Sequence, residues 1–472
     1  MSEPPRKIVT TRRERPSRRD AADPSRTPKG TQLERLIDAM IELAGQQGYQ
    51  SISIAQISAG AGVSSATFYE QFADKEECLL AAYRAVSERT LVRMQGPLGE
   101  GGDWSRAARG AFGELLDSVQ EDPDGGRVMF VEALAAGARM HEELAAVTAG
   151  LEQSAEALFD GIPAPGTTLD LPARALMGAV RGLVSRHLRT YSEDRLPELT
   201  DDMLAWMGSY AVPVGDGRWS TGPAAMLPVA TAAPVTPPDA LPPELDKLPR
   251  GRHGLAASVV ARSQRTRIVY ATAWMTMDRG YANTTVADIV GVAGVAKEAF
   301  YRHFRDKEEA FLEAQQFGSQ SVFDELVGAF FSAERWPERV WRSLELLLGL
   351  IARSPMLAHL RFVESYAAGG TAVRRAEDVT RTFTVFLEEG YSQREQARAL
   401  PRLYSQAISG AIFEMIQREV AAGNGARLPE RLPQLVYIAL APFLGPREAI
   451  EQVSAMTAEA HASERPAAGG AS

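Results

Sequence analysis

The sequence predicts an all-α protein built from two tandem units of the same helical fold. Three observations support this prediction: apolar residues recur at helical spacing, no stretch alternates like a half-buried strand, and motifs repeat at a constant interval. Helical spacing is clear in two sets of residues: Leu33, Leu36, Ile37, Met40 and Ile41 in the first unit, and Leu344, Leu347, Leu348 and Ile351 in the second. Each unit is therefore expected to be a bundle of helices.

The repeat holds an offset of 232 residues over most of the chain (280 − 48 = 232). Gly48-Tyr49 recurs as Gly280-Tyr281, and the same offset relates Leu196-Pro197-Glu198 to Leu428-Pro429-Glu430. A register held from Gly48 to Glu198 indicates duplication of a whole unit and not of a short motif.

The composition is that of a soluble globular protein, with 45% apolar and 24% charged residues among 472. No apolar run approaches the ~20 residues needed to cross a bilayer, and the N-terminus has no apolar signal region. One cysteine, Cys78, excludes an intrachain disulfide. We therefore expect a cytoplasmic protein that does not engage a membrane.

The formal net charge of −9 is unevenly distributed. Arginine and lysine are concentrated in the first thirty residues, and a second basic cluster precedes the repeated motif: Arg250, Arg252, Arg262, Arg265 and Arg267. Since only a binding face has to be basic, an acidic total does not exclude nucleic acid as a partner.

Proline and small residues interrupt the chain between the units, as expected for a semi-rigid linker. The predicted organisation is a disordered basic arm, two motif-bearing domains that are each followed by a helical bundle, a linker between the units, and a disordered tail. In chain order the ranges are 1–29, 30–90, 91–213, 214–254 (the linker), 255–322, 323–455 and 456–472.

A pair of short helices joined at a glycine is predicted in each unit. Ser53 and Gln56 have the spacing of a capping box, and Thr285 and Asp288 occupy the equivalent positions. Gly62 suits the left-handed backbone of a tight interhelical turn. A second helix then starts at Ser64 and presents its leading residues outward, as a helix entering the DNA major groove does.

The outward positions predicted from this arrangement differ between the copies. They are Ser65, Ala66, Thr67, Tyr69, Glu70 and Gln71 in the first copy, and Lys297, Glu298, Ala299, Tyr301, Arg302 and His303 in the second. Phe68, Phe72, Phe300 and Phe304 are expected to be core.

The pattern Ile-Ala-x-x-Ala-Gly-Val-Ser-x-x-Thr-Phe-Tyr-x-x-Phe-x-x-Lys-Glu is similar to the motif of the TetR family of transcriptional regulators. It is matched from Ala55 to Glu76 and again from Asp288 to Glu308, where Ala296 and Ala299 replace the usual Ser and Thr. The resemblance implies a three-helix DNA-binding domain followed by a bundle that encloses a ligand pocket and supplies a dimer interface. It also implies a double-stranded DNA operator and a small-molecule inducer as partners.

The resemblance also assigns roles to individual residues. The tyrosines Tyr69 and Tyr301 and the lysines Lys75 and Lys307 are expected to contact phosphates. The full predicted DNA-binding set is Ser64, Ser65, Thr67, Tyr69, Gln71, Lys75, Lys297, Glu298, Tyr301, Arg302, His303 and Lys307. Arg250 and Arg252 either enter a minor groove or belong to a plain tether. The family's dimer helices are expected at 171–191 with 197–212 and at 395–422 with 429–444.

We interpret the chain as a DNA-binding regulator of the repressor type and not as an enzyme: no phosphate-binding glycine loop, nucleophile elbow, cofactor motif or metal-ligand spacing is recognised. The leading hypothesis is an intramolecular pseudo-dimer on an asymmetric operator, with the linker bridging half-sites about 34–36 Å apart. Three alternatives remain: each unit homodimerises, one helix-turn-helix is inactive, or the protein is an interaction module without direct DNA binding.

Overall fold

The structure is a computed structural model, and it describes residues 30–99, 104–136, 138–159, 166–190, 196–227, 255–317 and 319–464. The predicted disordered arm at 1–29 and the arginines Arg250 and Arg252 lie outside these residues.

The first unit contains nine α-helices and a pair of short strands among its described residues. They are α1 Gln32–Gln47, α2 Ile54–Gly60, α3 Ser65–Gln71, α4 Lys75–Gly99, α5 Trp104–Glu121, α6 Pro123–Phe130, α7 Ala138–Leu158, β1 Thr167–Leu169, α8 Ala173–Thr190, α9 Thr200–Gly208 and β2 Ala211–Pro213. The strands are antiparallel, with Thr168 opposite Val212. The all-α prediction is confirmed apart from this small strand pair, which is too short to give an alternating sequence pattern.

The second unit follows the same order in its described part. Its helices are α10 Ala257–Arg279, α11 Val286–Ala293, α12 Lys297–His303, α13 Lys307–Gln316, α14 Ser319–Phe330, α15 Trp336–Arg353, α16 Pro355–His359, α17 Ser365–Ala367, α18 Gly370–Thr382, α19 Leu403–Ala421, α20 Leu432–Leu444 and α21 Pro446–Glu464. A π-helical segment, Leu360–Glu364, joins α16 to α17.

Each unit begins with a three-helix domain that has its own apolar core. In the first unit Leu36, Met40 and Ile57 pack around the fully buried Phe68. Ile268, Ile289 and Phe300 form the equivalent core of the second unit. The four phenylalanines predicted to be core, Phe68, Phe72, Phe300 and Phe304, are all buried.

The bundles that follow share one continuous core across the two units. Helix α8 packs along α19, its counterpart at the 232-residue offset. Tyr210 of the first unit donates a hydrogen bond from its hydroxyl to the carbonyl of Ile438 at 2.8 Å, and its ring meets the ring of Tyr437. Every residue of α20 is buried. The helices predicted to supply a dimer interface are therefore packed together inside one chain.

The first part of the predicted linker differs from an extended tether. Residues 214–227 form short 3-10 turns that lie against the second unit, where Leu227 donates its N–H to the Glu430 carbonyl at 2.9 Å. The side-chain amide of Gln434 donates to the Ser220 carbonyl. Within this segment Trp219 packs on Tyr437 of the second unit. Proline-rich composition alone did not predict that the segment packs against the second unit, because the packing depends on this aromatic contact.

The C-terminal tail is also shorter than predicted. Helix α21 continues to Glu464, and Met456 and Val453 are buried on its inner face. The alanine-rich composition that suggested disorder after about Thr457 is equally compatible with a helix, since alanine has the highest helix propensity.

The fourth helix differs between the units. Helix α4 continues without a break from Lys75 to Gly99, whereas its counterpart ends as α13 at Gln316 and resumes as α14 at Ser319. Phe317 at this break packs edge-on against Tyr270 of α10, with ring centroids 5.3 Å apart. The two units therefore join their N-terminal domain to their bundle by different backbone paths.

Candidate nucleic-acid interface

A glycine corner joins the two short helices in each unit. Gly62 has φ +64° and Gly294 has φ +60°, the left-handed conformation that an L side chain adopts only under strain. The valine after each glycine closes the turn: Val63 donates its N–H to the Ser58 carbonyl at 3.0 Å, and Val295 donates to Val290 at 3.2 Å. Both predicted capping boxes, at Ser53 and at Thr285, are present.

Helix α3 begins at a capped N-terminus. The Ser64 hydroxyl accepts the Thr67 N–H at 3.0 Å and lies 3.0 Å from the Thr67 hydroxyl. Ser65, Glu70 and Gln71 are exposed, whereas Thr67 is half-buried. The surface offered to solvent by this helix is therefore polar and carries one negative charge, that of Glu70.

Helix α12 presents a different surface on the same scaffold. Lys297, Glu298 and Arg302 are exposed, and His303 is half-buried. Ala296 makes no side-chain cap, as the sequence predicts. The prediction that Ala299 faces solvent is wrong: it is only 2% exposed, because it lies on the inner side of the helix beside Phe300.

Tyr69 and Tyr301 project from the two helices at equivalent places. Tyr69 is 60% exposed and Tyr301 is 50% exposed, so most of each ring lies outside the core. Each ring keeps one edge contact with the buried phenylalanine before it, at centroid distances of 5.6 Å for Phe68 and 5.4 Å for Phe300. These contacts orient the phenol outward, and its contact with a phosphate stays a prediction.

Lys75 and Lys307 have a structural role that sequence reasoning did not identify. The Lys75 ammonium donates to the carbonyls of Tyr49 and Ile52, both at 3.0 Å, and lies 4.3 Å from the centre of the Tyr49 ring. Lys307 donates to the Tyr281 carbonyl at 2.7 Å. Burial lowers the pKa of both ammonium groups. Since an ammonium has three donors, these bonds leave room for the predicted phosphate contact, which stays a prediction.

His303 is held close to positive charge. Burial lowers its pKa, and Arg302 and Arg265 lower it further. The ring lies 3.4 Å from the amide oxygen of Gln264 and packs beside Phe304. The free protein therefore carries a neutral His303 near pH 7.

Arg267 was grouped with the basic cluster in the sequence, but its side chain is 5% exposed. Its guanidinium donates to the carbonyls of Ala293 and Gly294, which end α11 at the glycine corner. In the first unit Arg35 occupies the equivalent position and lies near Gly62. The recurrence of arginine at the 232-residue offset was the signal that could have identified this role.

A glutamate connects each three-helix domain to its bundle. Glu132 accepts the Tyr49 N–H at 2.7 Å, and Glu364 accepts the Tyr281 N–H at 2.8 Å. Burial raises the pKa of Glu132. The repeat of Phe-Val-Glu was visible in the sequence, but its role required the fold, because the two partners are 83 residues apart.

Two further properties concern only the residues that the structure describes. No single helix there has both the length and the apolar composition to cross a bilayer; α15 with the following 355–364 segment meets that test only jointly, across a 104° bend. In the same part of the chain, no group of three or more His, Cys, Asp and Glu side chains is arranged to hold a metal ion.

Comparison with known proteins matches the two three-helix domains. Residues 36–82 and 268–314 each match the family of bacterial regulatory proteins, tetR family. The HTH-type transcriptional regulator TcmR of Streptomyces glaucescens is 34% identical over 95 residues, which are 20% of this chain and 42% of TcmR. The chain therefore spans less than half the length of this relative.

Solved structures of similar proteins include a fatty acid degradation regulator and a transcriptional regulator, both named FadR. The one from Bacillus halodurans is 18% identical, with a TM-score of 0.34, and the match covers 38% of this chain and 96% of that protein. The one from Bacillus subtilis, solved with stearoyl-CoA, is 18% identical, with a TM-score of 0.34, over 37% of this chain and 97% of that protein.

Two glycine-cornered helix pairs, each offering an exposed second helix, define a protein with tandem helix-turn-helix domains. The chain carries the N-terminal domain of the tetR family of bacterial regulatory proteins twice, at residues 36–82 and 268–314.

Proposed function

We propose that this protein is a sequence-specific DNA-binding transcriptional regulator whose two units act as an intramolecular pseudo-dimer. A small ligand causes it to dissociate from its operator. The observation that carries the proposal is the duplicated helix-turn-helix with two different exposed surfaces, on α3 and on α12. Two different recognition helices imply an operator with two different half-sites.

The pseudo-dimer is supported by which helices meet. Family members bind palindromic DNA as homodimers, and the helices expected to form that interface, α8 and α19, pack against each other within this chain. Their contact leaves both three-helix domains attached to a single particle. A chain of 51.1 kDa is therefore expected to be a monomer in light scattering at low concentration. A particle that stays dimeric on dilution would favour the alternative in which each unit homodimerises.

DNA binding is tested by an electrophoretic shift with the protein's own promoter region. Because phosphate contacts release counterions, the affinity should fall steeply as salt is raised. Substituting Lys297 and Arg302 by alanine should weaken binding and reduce the salt slope by up to about 2. The matched control is Arg305→Ala, an exposed arginine just after α12 that bonds Glu309. An interaction module without direct DNA binding would give no salt-dependent shift with any of these proteins.

The inactive-copy alternative is tested by footprinting. Protection over two half-sites that is halved by Tyr69→Ala and, separately, by Tyr301→Ala supports two working copies. Protection that depends on one tyrosine alone would support a single active helix-turn-helix.

The second unit contains a cavity suited to a small ligand. Its volume is about 500 Å³, within the usual range for small-molecule sites, and its wall is mostly apolar. Phe323, Leu347, Phe362 and Phe413 contribute to that wall. Arg361 adds a guanidinium whose pKa burial lowers to about 10, so it remains charged at neutral pH. We propose that the inducer is a largely apolar molecule that occupies this cavity.

The cavity wall is continuous with the contact that holds the DNA-binding domain. Leu360, Arg361 and Phe362 line the cavity, and Glu364 two residues later holds the Tyr281 N–H. Phe317, at the break between α13 and α14, lies on another part of the wall. A ligand that alters the path of either segment would change the position of α12, provided that it binds one arrangement more tightly than the other.

Filling the cavity tests this ligand site. Leu347→Trp should block uptake of an apolar fluorescent probe such as 1-anilinonaphthalene and leave DNA affinity intact or raised. Glu345→Trp, a half-buried position on the same helix α15 that does not line the cavity, is the control and should bind the probe like the native chain. Equal probe binding by the native chain and Leu347→Trp would place the ligand elsewhere.

A further inference from the structure

The contact between α8 and α19 is close enough to involve backbone atoms. Gly178 on α8 and Gly410 on α19 are equivalent at the 232-residue offset (410 − 178 = 232), and they meet where the helices cross. A Cβ on Gly178 would lie 2.7 Å from the Gly410 carbonyl oxygen, and a Cβ on Gly410 would lie 2.8 Å from the Gly178 carbonyl oxygen. This pair alone is symmetric and would suit two identical helices equally well.

The residues one turn further on break that symmetry. The first unit has Gly182, whereas the equivalent residue of the second unit is Glu414 (414 − 182 = 232). Glu414 is 3% exposed, and its side chain fills the space above Gly178, where a Cβ would collide with the Glu414 Cβ. The glutamate is therefore accommodated only because its partner helix carries glycine at that point.

The buried glutamate is neutralised from the other unit. It forms an ion pair with Arg181 of α8, whose equivalent in the second unit is Phe413. Arg181 also donates to the side-chain oxygen of Gln417 at 2.8 Å. Arg418 bonds Glu414 at 2.7 Å within α19.

A second ion pair crosses between the units beside the first. Arg418 of α19 meets Glu152 of α7 at 2.5 Å, and the residue equivalent to Glu152 in the second unit is Thr384. The acidic and the basic residue of the Arg181–Glu414 pair are therefore never both present in one unit at equivalent positions. The Glu152–Arg418 pair is different, because the first unit has Arg186 at the position equivalent to Arg418 (418 − 186 = 232).

We propose that Arg181 and Glu414 make this interface heterotypic: a first unit recognises a second unit and rejects another copy of itself. In a symmetric pair of α19 helices, two copies of Glu414 would be buried without Arg181. In a symmetric pair of α8 helices, two copies of Arg181 would lack Glu414. Removing one partner of a buried ion pair is strongly unfavourable, so homotypic pairing should be weaker by roughly 100-fold or more.

The proposal rests on the intramolecular arrangement proposed above and adds the reason why a first unit pairs with a second unit in it. It also explains how a duplicated regulator would avoid mispairing in a cell: two chains that meet through like units would each lose the Arg181–Glu414 ion pair. The partner that fits α19 is the α8 helix of the same kind of chain, in the same or a second copy.

The experiment starts from the intact, folded chain with a specific protease site inserted between Ala240 and Leu241. After cleavage, native mass spectrometry of an isotopically labelled and unlabelled mixture identifies which pieces associate. Complexes of one N-terminal piece with one C-terminal piece are expected. Complexes of two N-terminal or two C-terminal pieces at comparable abundance would overturn the proposal.

Variants assign the specificity to the named residues. Arg181→Gln and Gly178→Ala should each speed dissociation of the cleaved pair at least about tenfold, and the reversal of both charges, Arg181→Glu with Glu414→Arg, should recover part of the loss. The matched controls are Arg174→Gln, on the same helix, and Gly182→Ala, whose added Cβ would lie 3.4 Å from the Gly410 Cα. Test variants that dissociate no faster than these controls would overturn the proposal.

The outcome is independent of DNA binding. A chain that fails to shift DNA but forms only mixed pairs after cleavage would refute the proposed function and leave the heterotypic interface intact. The reverse result would refute the interface specificity alone.

Discussion

The two helix-turn-helix domains share a scaffold and differ on its surface. The glycine corners, the capping boxes and the buried phenylalanines coincide at the 232-residue offset. By contrast, α3 exposes Ser65, Glu70 and Gln71, whereas α12 exposes Lys297, Glu298 and Arg302. Duplication has therefore kept the residues that position the helix and changed those that would meet DNA.

The exposed surfaces of the two recognition helices have therefore diverged while the scaffold has not. In a homodimer each recognition residue is used twice, so a change in one half-site must be matched in the other. In the proposed pseudo-dimer, two copies within one chain would remove that constraint, since each α3 or α12 substitution would affect a single half-site.

The largest effect should come from making the two surfaces identical. Replacing the exposed α3 residues by their α12 equivalents (Ser65→Lys, Ala66→Glu, Glu70→Arg and Gln71→His) should weaken binding to the native operator about 100-fold, because each mismatched base pair costs about 1–3 kcal/mol. Selection from a randomised DNA library should then yield a palindrome. An unchanged, asymmetric preferred site would show that α3 does not read bases.

A smaller effect is expected from the glycine corner. Gly294→Ala keeps φ near +60° only under strain, so it should destabilise the second three-helix domain by about 1–2 kcal/mol and misplace α12. Gly291→Ala is the control: a Cβ there meets open space inside α11, and it should stabilise the helix by about 0.5–1 kcal/mol. Chemical denaturation measures both. Equal effects of the two substitutions would contradict the strain argument.

Most of the fold could be predicted from the sequence because its determinants are local. Helical spacing, the Ser53 and Thr285 caps and the Gly62 and Gly294 corners each act within a few residues, and all are present as expected. The resemblance to the TetR family rests on the same local motif.

The parts that sequence did not predict depend on distant partners. The domain-to-bundle contact of Glu132 with Tyr49 spans 83 residues, and the burial of Arg267 depends on carbonyls of another helix. The tether also proved partly structural, because Trp219 and Ser220 meet residues more than 200 positions away. The predicted exposure of Ala299 was wrong because one residue along a helix is enough to turn a side chain from solvent to core.

Two substitutions at the N-termini of α12 and α3 should change stability by similar amounts and in opposite directions. Ala296 leaves α12 without a side-chain cap, whereas Ser64 caps α3. Ala296→Ser should stabilise the second three-helix domain by about 1 kcal/mol, and Ser64→Ala should destabilise the first by a similar amount. Hydrogen exchange at the first turn of each helix locates the effect. If Ala296→Ser leaves α12 exchange unchanged, the missing cap is compensated elsewhere.

The smallest effect concerns His303, whose counterpart is Gln71. Burial and the neighbouring Arg302 and Arg265 lower the pKa of His303 below 6.5, so the unfolded chain binds this proton more readily than the folded one. The stability of the free protein should therefore decrease as the pH falls below about 6.5.

DNA should reverse the sign of this dependence, because nearby phosphates favour the imidazolium. Operator affinity should rise a few-fold between pH 7.5 and pH 6, and His303→Gln, which installs the residue of the first copy, should remove that rise. Gln71→His is the converse substitution in the first copy. Helix α3 has no arginine beside that position to oppose protonation of the new histidine. If His303→Gln retains the pH dependence of the native chain, another titrating group carries it, and His303 is not close to a phosphate in the complex.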